Sequence, residues 1–236
     1  MTTISTQLAE AAKEDTPTAK LEEMLPKPYL SFRDVFSKES FDELPERKQW
    51  EHVIDLKPES LLFSTKVYPM SPIEQKELND FLEENLSSGR IHPSKSPKVS
   101  LVFFMKKKDG KLWFVQDYRK LNVMTVKNTY PLPLVLDIIN QISDSKARYF
   151  TKLDVHWGYN NVQIKEGDEW KAAFQTNQGL FKPLVMFFSL TNSLATFQTM
   201  MNDIFKDLID EGYMAVYLDD ILVYTHMIEH HWEVVT

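Results

Sequence analysis

The chain has 236 residues, 43% of them hydrophobic and 12% aromatic, enough apolar material for a folded core and too much for a chain disordered throughout. It has no cysteine, which excludes disulfides and thiolate metal sites, and it shows neither a membrane-length apolar run nor a basic-then-apolar leader, so no membrane span or secretory signal is expected. The net charge of -7 speaks against nucleic acid until it is divided, because residues 89–130 carry ten basic and two acidic side chains while both flanks are acidic. That block holds Lys106, Lys107, Lys108, Lys111, Arg119, Lys120 and Lys127, a density that suits phosphate backbones.

In chain order, residues 1–40 are polar and broken by Pro17, Pro26 and Pro28, and read as a linker or arm with short helical turns around Leu21–Leu25 and Tyr29–Phe36. Residues 41–70 read as extended segments turning at Pro45, Pro58 and Pro69. A helix is predicted from Ser71, with Pro72 at its first position and Glu74 placed for a capping box; Ile73, Leu78, Phe81, Leu82 and Leu86 form its apolar side until Gly89 stops it. Ser100–Met105 and Leu112–Val115 are strand-like, joined through Asp109-Gly110, so lysines crowd a hairpin tip. Leu134–Ile142 has a helical pattern and Ala147–Val155 is a strand ending near Asp154. Phe174, Leu180 and Val185–Phe188 fall in short strands around a turn at Gly179. Thr191–Asp210 reads as one long helix with Phe197, Met200, Met201, Ile204, Phe205 and Leu208 on its buried side.

The stretch that organises the chain is Met214-Ala-Val-Tyr-Leu-Asp-Asp-Ile-Leu-Val-Tyr224, two apolar runs with Asp219 and Asp220 between them. It reads as a hairpin of buried strands with an acidic pair at the turn. Adjacent carboxylates there are costly unless a cation neutralises them, though Asp is also an ordinary turn residue. If strands bring Asp154 alongside, three oxygen donors suffice for two Mg²⁺ or Mn²⁺ ions about 3.5–4 Å apart, the arrangement used in phosphoryl transfer.

Lys106-Lys-Lys-Asp-Gly-Lys111, Gln116-Asp-Tyr-Arg-Lys-Leu-Asn122, Tyr130-Pro-Leu-Pro133, Phe150-Thr-Lys-Leu-Asp154, Gly158-Tyr159, Gly167-Asp-Glu-Trp-Lys171, Ala195-Thr-Phe-Gln198 and Tyr217-Leu-Asp-Asp220 together resemble the reverse transcriptase of Ty3/gypsy-type LTR retrotransposons in its fungal form. The motifs stand in family order over about residues 45–236. The resemblance implies an α+β right-hand polymerase with an antiparallel palm sheet and packed helices. Fingers are expected at about 70–135 with a returning segment near 165–190, and the palm at about 136–236. It further implies RNA- or DNA-templated DNA synthesis from a primer, and deoxynucleoside triphosphates as substrates. The parent Pol polyprotein would carry protease, RNase H and integrase, reside in cytoplasmic virus-like particles and have nuclear access, with no membrane partner.

Position by position, the resemblance makes Asp154, Asp219 and Asp220 the catalytic metal-binding triad, with Val155 beside it. Tyr159 falls where a bulky side chain excludes a ribose 2′-OH, an ordinary core tyrosine being the competing reading. Lys106, Lys107 and Lys108 fall where a fingers lysine meets the incoming phosphates, and Phe188 and Ser189 border the nucleotide. Lys111, Arg119, Lys120, Lys127, Phe197 and Gln198 are candidates for nucleic-acid contact, with helix packing an equal reading for the last two. Asp117, Arg119 and Asn122 read as ties within the fingers.

Six positions depart from the family pattern. Trp113 stands for an arginine that reaches the triphosphate, Ser189 for glycine, Leu194 for proline, and His156, Gln175 and Lys182 for Arg, Arg and Glu. Each departure needs one C-to-T or G-to-A transition, the trace that cytosine deamination leaves. His226, His230, His231 and Trp232 read as the start of a helix leading toward a thumb, and no thumb, connection or RNase H sequence follows. Two alternatives stand beside the polymerase: a decayed or domesticated remnant that only binds nucleic acid, and, opposed by the lysine hairpin, another palm-type enzyme such as a cyclase.

Overall fold

The computed structural model describes residues 27–36, 43–63, 68–106, 110–155 and 157–236. The helical turn expected at Leu21–Leu25 lies outside them, as do Lys107, Lys108, Asp109 and His156. The chain forms two units, one ending at Glu43 and one spanning Leu44–Val235. Within the first, Lys27–Phe36 is a 3-10 helix kinked at Phe32, with Tyr29 and Phe36 in edge contact at 6.5 Å.

In the second unit the predicted capping box forms. Helix α1 (Pro72–Ser87) starts from Ser71, whose side chain accepts from the Glu74 N–H while the Glu74 carboxylate accepts from the Ser71 N–H. Leu78 and Leu82 are buried, but Ile73 and Leu86 are 70% and 40% exposed, so the buried stripe is narrower than the apolar one. Strand β1 (Ile91–Pro93) pairs with β6 (Gly179–Pro183), which pairs with β5 (Phe174–Thr176), all antiparallel. Strands β2 (Leu101–Lys106) and β3 (Leu112–Asp117) form a separate antiparallel hairpin. Leu78, Leu82, Ile91, Val102, Phe174 and Phe181 join these elements in one buried cluster.

Short helix α2 (Arg119–Met124) follows β3, and α3 (Val135–Asp144) precedes β4 (Tyr149–Asp154). The third sheet, order β4-β8-β7, is built from β4, β7 (Met214–Tyr217) and β8 (Asp220–Thr225), all antiparallel, so Asp154 lies directly opposite Asp220. Its apolar residues Met214, Val216, Ile221 and Val223 join Phe197, Met200 and Met201 of α4 (Ser193–Ile204) in the larger core. Helix α6 (Ile228–Val235) closes the chain through His231, whose two ring nitrogens contact Thr151 Oγ1 at 2.8 Å and Thr225 Oγ1 at 3.0 Å.

Two expectations need correction. The long helix over 191–210 is two: α4 ends at Phe205, whose backbone leaves helical geometry, and α5 (Lys206–Asp210) follows, leaving Ile204 48% exposed. The start also moves past Asn192, which takes φ 73° while its amide side chain binds the backbone of Val126 and Asn128. Val185–Phe188 forms no strand. Met186 N–H donates to Val162 and Ile164 N–H to Leu184, and the pairing stops there because Asn122 captures the chain at Ser189 and Thr191. Helix α2 and the 3-10 turns Gly158–Asn161 and Glu169–Ala172 have too little periodicity to be visible beforehand.

Candidate active site

The acidic pair sits where β7 turns into β8. Tyr217 pairs with Asp220, leaving Leu218 and Asp219 as a two-residue turn. Such turns demand positive φ at their first residue, a demand usually met by glycine; here Leu218 meets it at φ 57°. A leucine held in that region stores strain of order 1–3 kcal/mol, which surrounding bonds must overcome.

Gln198, fully buried on α4, supplies those bonds. Its Oε1 accepts the Leu218 N–H at 2.8 Å, and its Nε2 donates to the Val216 carbonyl at 3.2 Å and to Asn202 Oδ1 at 2.9 Å. From the other side the Val155 N–H donates to the Asp219 carbonyl at 3.0 Å. The turn is therefore tied both to the helix beneath it and to the end of β4. Phe197 and Gln198, for which nucleic-acid contact and helix packing stood as equal readings, are each 0% exposed, and packing is the reading the structure supports for both.

Asp154 and Asp220 face one another across β4 and β8, which places their Cβ atoms on one face about 4.5–5.5 Å apart. Lys152, two residues before Asp154 and so on the same face, bonds Asp220 Oδ1 at 2.8 Å. Its pKa is raised, first by that hydrogen bond and the charge of Asp220 and then by Asp154 and Asp219, so one ammonium feels all three carboxylates. Sequence reasoning passed over Lys152, although period-two alternation placed it beside Asp154. Among the described residues no three His, Asp or Glu side chains converge closely enough to hold a metal ion as they stand. The chemistry of the donors nevertheless fits a hard divalent cation: carboxylate oxygens on adjacent strands and the turn beside them, open to solvent. The carbonyl of Val155 accepts the Gly158 N–H at 3.2 Å and keeps a second lone pair.

Tyr159 packs on Phe197, ring centroids 4.8 Å apart, and its hydroxyl pKa is pushed up to about 12 by burial and by the Asp219 charge. This packing depends on Gly158. A Cβ there would lie 2.5 Å from Phe197 Cζ and 3.2 Å from Val155 Cγ1. Trp113 of β3 stacks on Phe188 at 4.8 Å with planes 25° apart, both rings about two-fifths exposed. Ser189 is absent from the residues with positive φ, so serine brings no backbone strain there, but its Oγ is buried without a hydrogen-bond partner among the described residues.

The basic block does not form one face. Arg90 and Lys98 are each 1% exposed and so withdrawn from any phosphate. Lys106 and Lys111 flank the β2–β3 turn, exposed. Arg119 pairs with Asp117 at 2.7 Å, and Lys120 lies over the Phe63 ring; both line a groove with Leu61, Leu62 and Val123. Lys127 lines a different groove, beside Trp50 and Thr196. Asn122 ties α2 to the loop before α4, donating to the Ser189 carbonyl and accepting the Thr191 N–H, both at 2.8 Å. Lys182 lies 4.0 Å from Glu169, Gln175 stands opposite Leu180 in β5–β6, and Leu194 is 43% exposed.

A family model described as reverse transcriptase (RNA-dependent DNA polymerase) matches residues 105–236, more than half of the chain and all of the acidic site. The chain belongs to the reverse transcriptase family. It is 34% identical over 202 residues to the Transposon Tf2-3 and Transposon Tf2-4 polyproteins of Schizosaccharomyces pombe, covering 85% of this chain and 15% of each relative. The chain thus spans a small part of the relatives it matches, and the fungal retrotransposon resemblance holds. Among solved structures it is similar to the foamy viral protease-reverse transcriptase in complex with dsDNA, with TM-score 0.75 and 19% identity over 99% of this chain and 48% of that one. The foamy viral protease-reverse transcriptase in complex with RNA/DNA hybrid gives TM-score 0.74 and 18% identity, covering 96% of this chain and 30% of the other. These likenesses establish the reverse transcriptase fold, α+β with antiparallel sheets. No helix among the described residues is long and apolar enough to cross a membrane.

Proposed function

We propose that this reverse transcriptase domain catalyses template-directed addition of deoxynucleotides to a primer 3′-OH, on RNA or DNA, with Asp154, Asp219 and Asp220 holding two Mg²⁺ or Mn²⁺ ions. The observation that carries this reading is the register Asp154 opposite Asp220, beside an Asp219 turn bonded to Val155, in a chain of this family. Divalent cations bound there lower the pKa of the attacking hydroxyl and offset charge on the triphosphate. The chain's own residues provide position. Gln198 and the Val155 N–H fix the turn, so the carboxylates need little reorganisation as charge develops. Tyr159, held by Phe197 and Gly158, presents a rigid ring to the sugar and blocks a 2′-OH. A lysine of the Lys106, Lys107 and Lys108 run meets the incoming phosphates, with Phe188 and Ser189 bordering the nucleotide. Lys111, Arg119, Lys120 and Lys127 contact the template-primer backbone.

On this reading residues of about 70–135 and 165–190 are fingers and about 136–236 palm. The parent polyprotein supplies protease, RNase H and integrase and acts in cytoplasmic virus-like particles. The test is single-turnover incorporation of dTTP on poly(rA)/oligo(dT), with protein in excess so that weak grip does not limit the signal, beside a gel shift on the same duplex. Incorporation lost in Asp219→Asn and Asp220→Asn with the gel shift retained is the expected result. A shift without incorporation by the unaltered chain would overturn catalysis and leave a nucleic-acid-binding module.

A further inference from the structure

The ion pair between Lys152 and Asp220 has no role in the proposed reaction, yet its placement is specific. Lys152 stands opposite Leu222 and diagonal to Asp220 on the face that carries Asp154. Its ammonium reaches Asp220 Oδ1 at 2.8 Å, although 63% of the Lys152 side chain is exposed and solvent is open to it. Of the residues β4 aligns on this face, Lys152 alone is cationic next to the carboxylates: the strand reads Tyr-Phe-Thr-Lys-Leu-Asp from 149 to 154. An ammonium bonded to a carboxylate oxygen competes with a divalent cation for that oxygen, and it screens the repulsion between neighbouring acids when no cation is bound.

We infer that Lys152 is a built-in counter-ion for the carboxylate site, occupying Asp220 in the metal-free protein and giving it up when a divalent cation binds. Resting on the metal-site reading above, this makes Lys152 a positioning residue that tunes metal affinity. Removing its charge tightens cation binding, and the site loses its internal neutralisation in the metal-free state. The effect is modest, because the pair is exposed: roughly two- to fivefold in affinity.

The test uses the full chain without nucleic acid or turnover. Mn²⁺ binding is followed by the electron paramagnetic resonance signal of the free ion, and melting is followed in EDTA, for the unaltered protein, Lys152→Gln, Lys152→Arg, Asp220→Asn and the Lys152→Gln/Asp220→Asn double variant. The expected result is Mn²⁺ bound about two- to fivefold more tightly by Lys152→Gln and as in the unaltered protein by Lys152→Arg. In the Asp220→Asn background the gain should vanish, as coupling between the two groups requires. Equal or weaker Mn²⁺ binding by Lys152→Gln, with its melting in EDTA unchanged, would overturn the role of Lys152 alone. Absence of Mn²⁺ binding by every variant would overturn the metal site together with it.

Discussion

Gln198 shows how one buried side chain can hold the turn that carries an acidic pair. Its amide satisfies the N–H of the strained residue Leu218 itself and the carbonyl of Val216, two residues before it. Replacing it by leucine keeps the volume but leaves a buried donor and acceptor unpaired, which should cost about 1–3 kcal/mol. We expect Gln198→Leu to lower the urea midpoint accordingly and to reduce incorporation by more than the fraction unfolded explains. Equal losses of folding and activity would show that the amide serves stability only. The glycine at 158 belongs to the same set of constraints, since any side chain there would displace the Phe197 ring on which Tyr159 rests.

At the scale of elements, the loop before α4 is linked to the β2–β3 hairpin by the Trp113–Phe188 stack and to α2 by Asn122. Where the family resemblance expects an arginine fork for the triphosphate, this chain offers an aromatic ring without charge. Trp113→Arg should remove a ring contact of about 0.5–1.5 kcal/mol, lowering the melting temperature slightly. It should also add a charge-assisted phosphate contact of roughly 1.5–3 kcal/mol, raising dTTP incorporation about ten- to hundredfold. Paired melting and single-turnover measurements separate the two effects. Incorporation unchanged by Trp113→Arg would mean that other groups already meet the triphosphate.

At the scale of the whole molecule, His52 couples folding to pH. It is 1% exposed, its backbone bonds the 163–165 segment, its Nδ1 lies 3.2 Å from Thr196 Oγ1, and its Nε2 has no partner among the described residues. Burial lowers its pKa from 6.5 to about 4, with Asp168 opposing the shift only in part. The unfolded chain therefore binds the extra proton first as pH falls. The stability His52 confers is present above pH 6.5 and is lost as pH drops toward 4. Moving from pH 7.5 to 5.0 should remove about 2 kcal/mol through this residue. Urea titrations of the unaltered chain and His52→Gln at both pH values should differ in their pH dependence by that amount. Parallel curves would place the buried charge penalty elsewhere.

Much was legible in the sequence because the signals were local. Ser71, Pro72 and Glu74 form a capping box from groups three residues apart, and Asp109-Gly110 and the Leu-Asp-Asp turn mark hairpins through short-range backbone demands. Eight motifs in family order gave the family and the fold class, and named Asp154, Asp219 and Asp220 as the candidate acidic site. What tertiary structure decided depends on partners far away in the chain. Asn192 and Asn122 bind distant backbone and so shorten a helix and cut off a strand that the apolar pattern supported. Arg90 and Lys98 count toward a basic block but are buried, because charge patterning does not report which face a side chain takes. For Gln198, where nucleic-acid contact and helix packing stood as equal readings, burial beneath the turn decided for packing. Strand register set Asp154 against Asp220 and Lys152 diagonal to Asp220, relations between residues some seventy positions apart that no periodicity encodes.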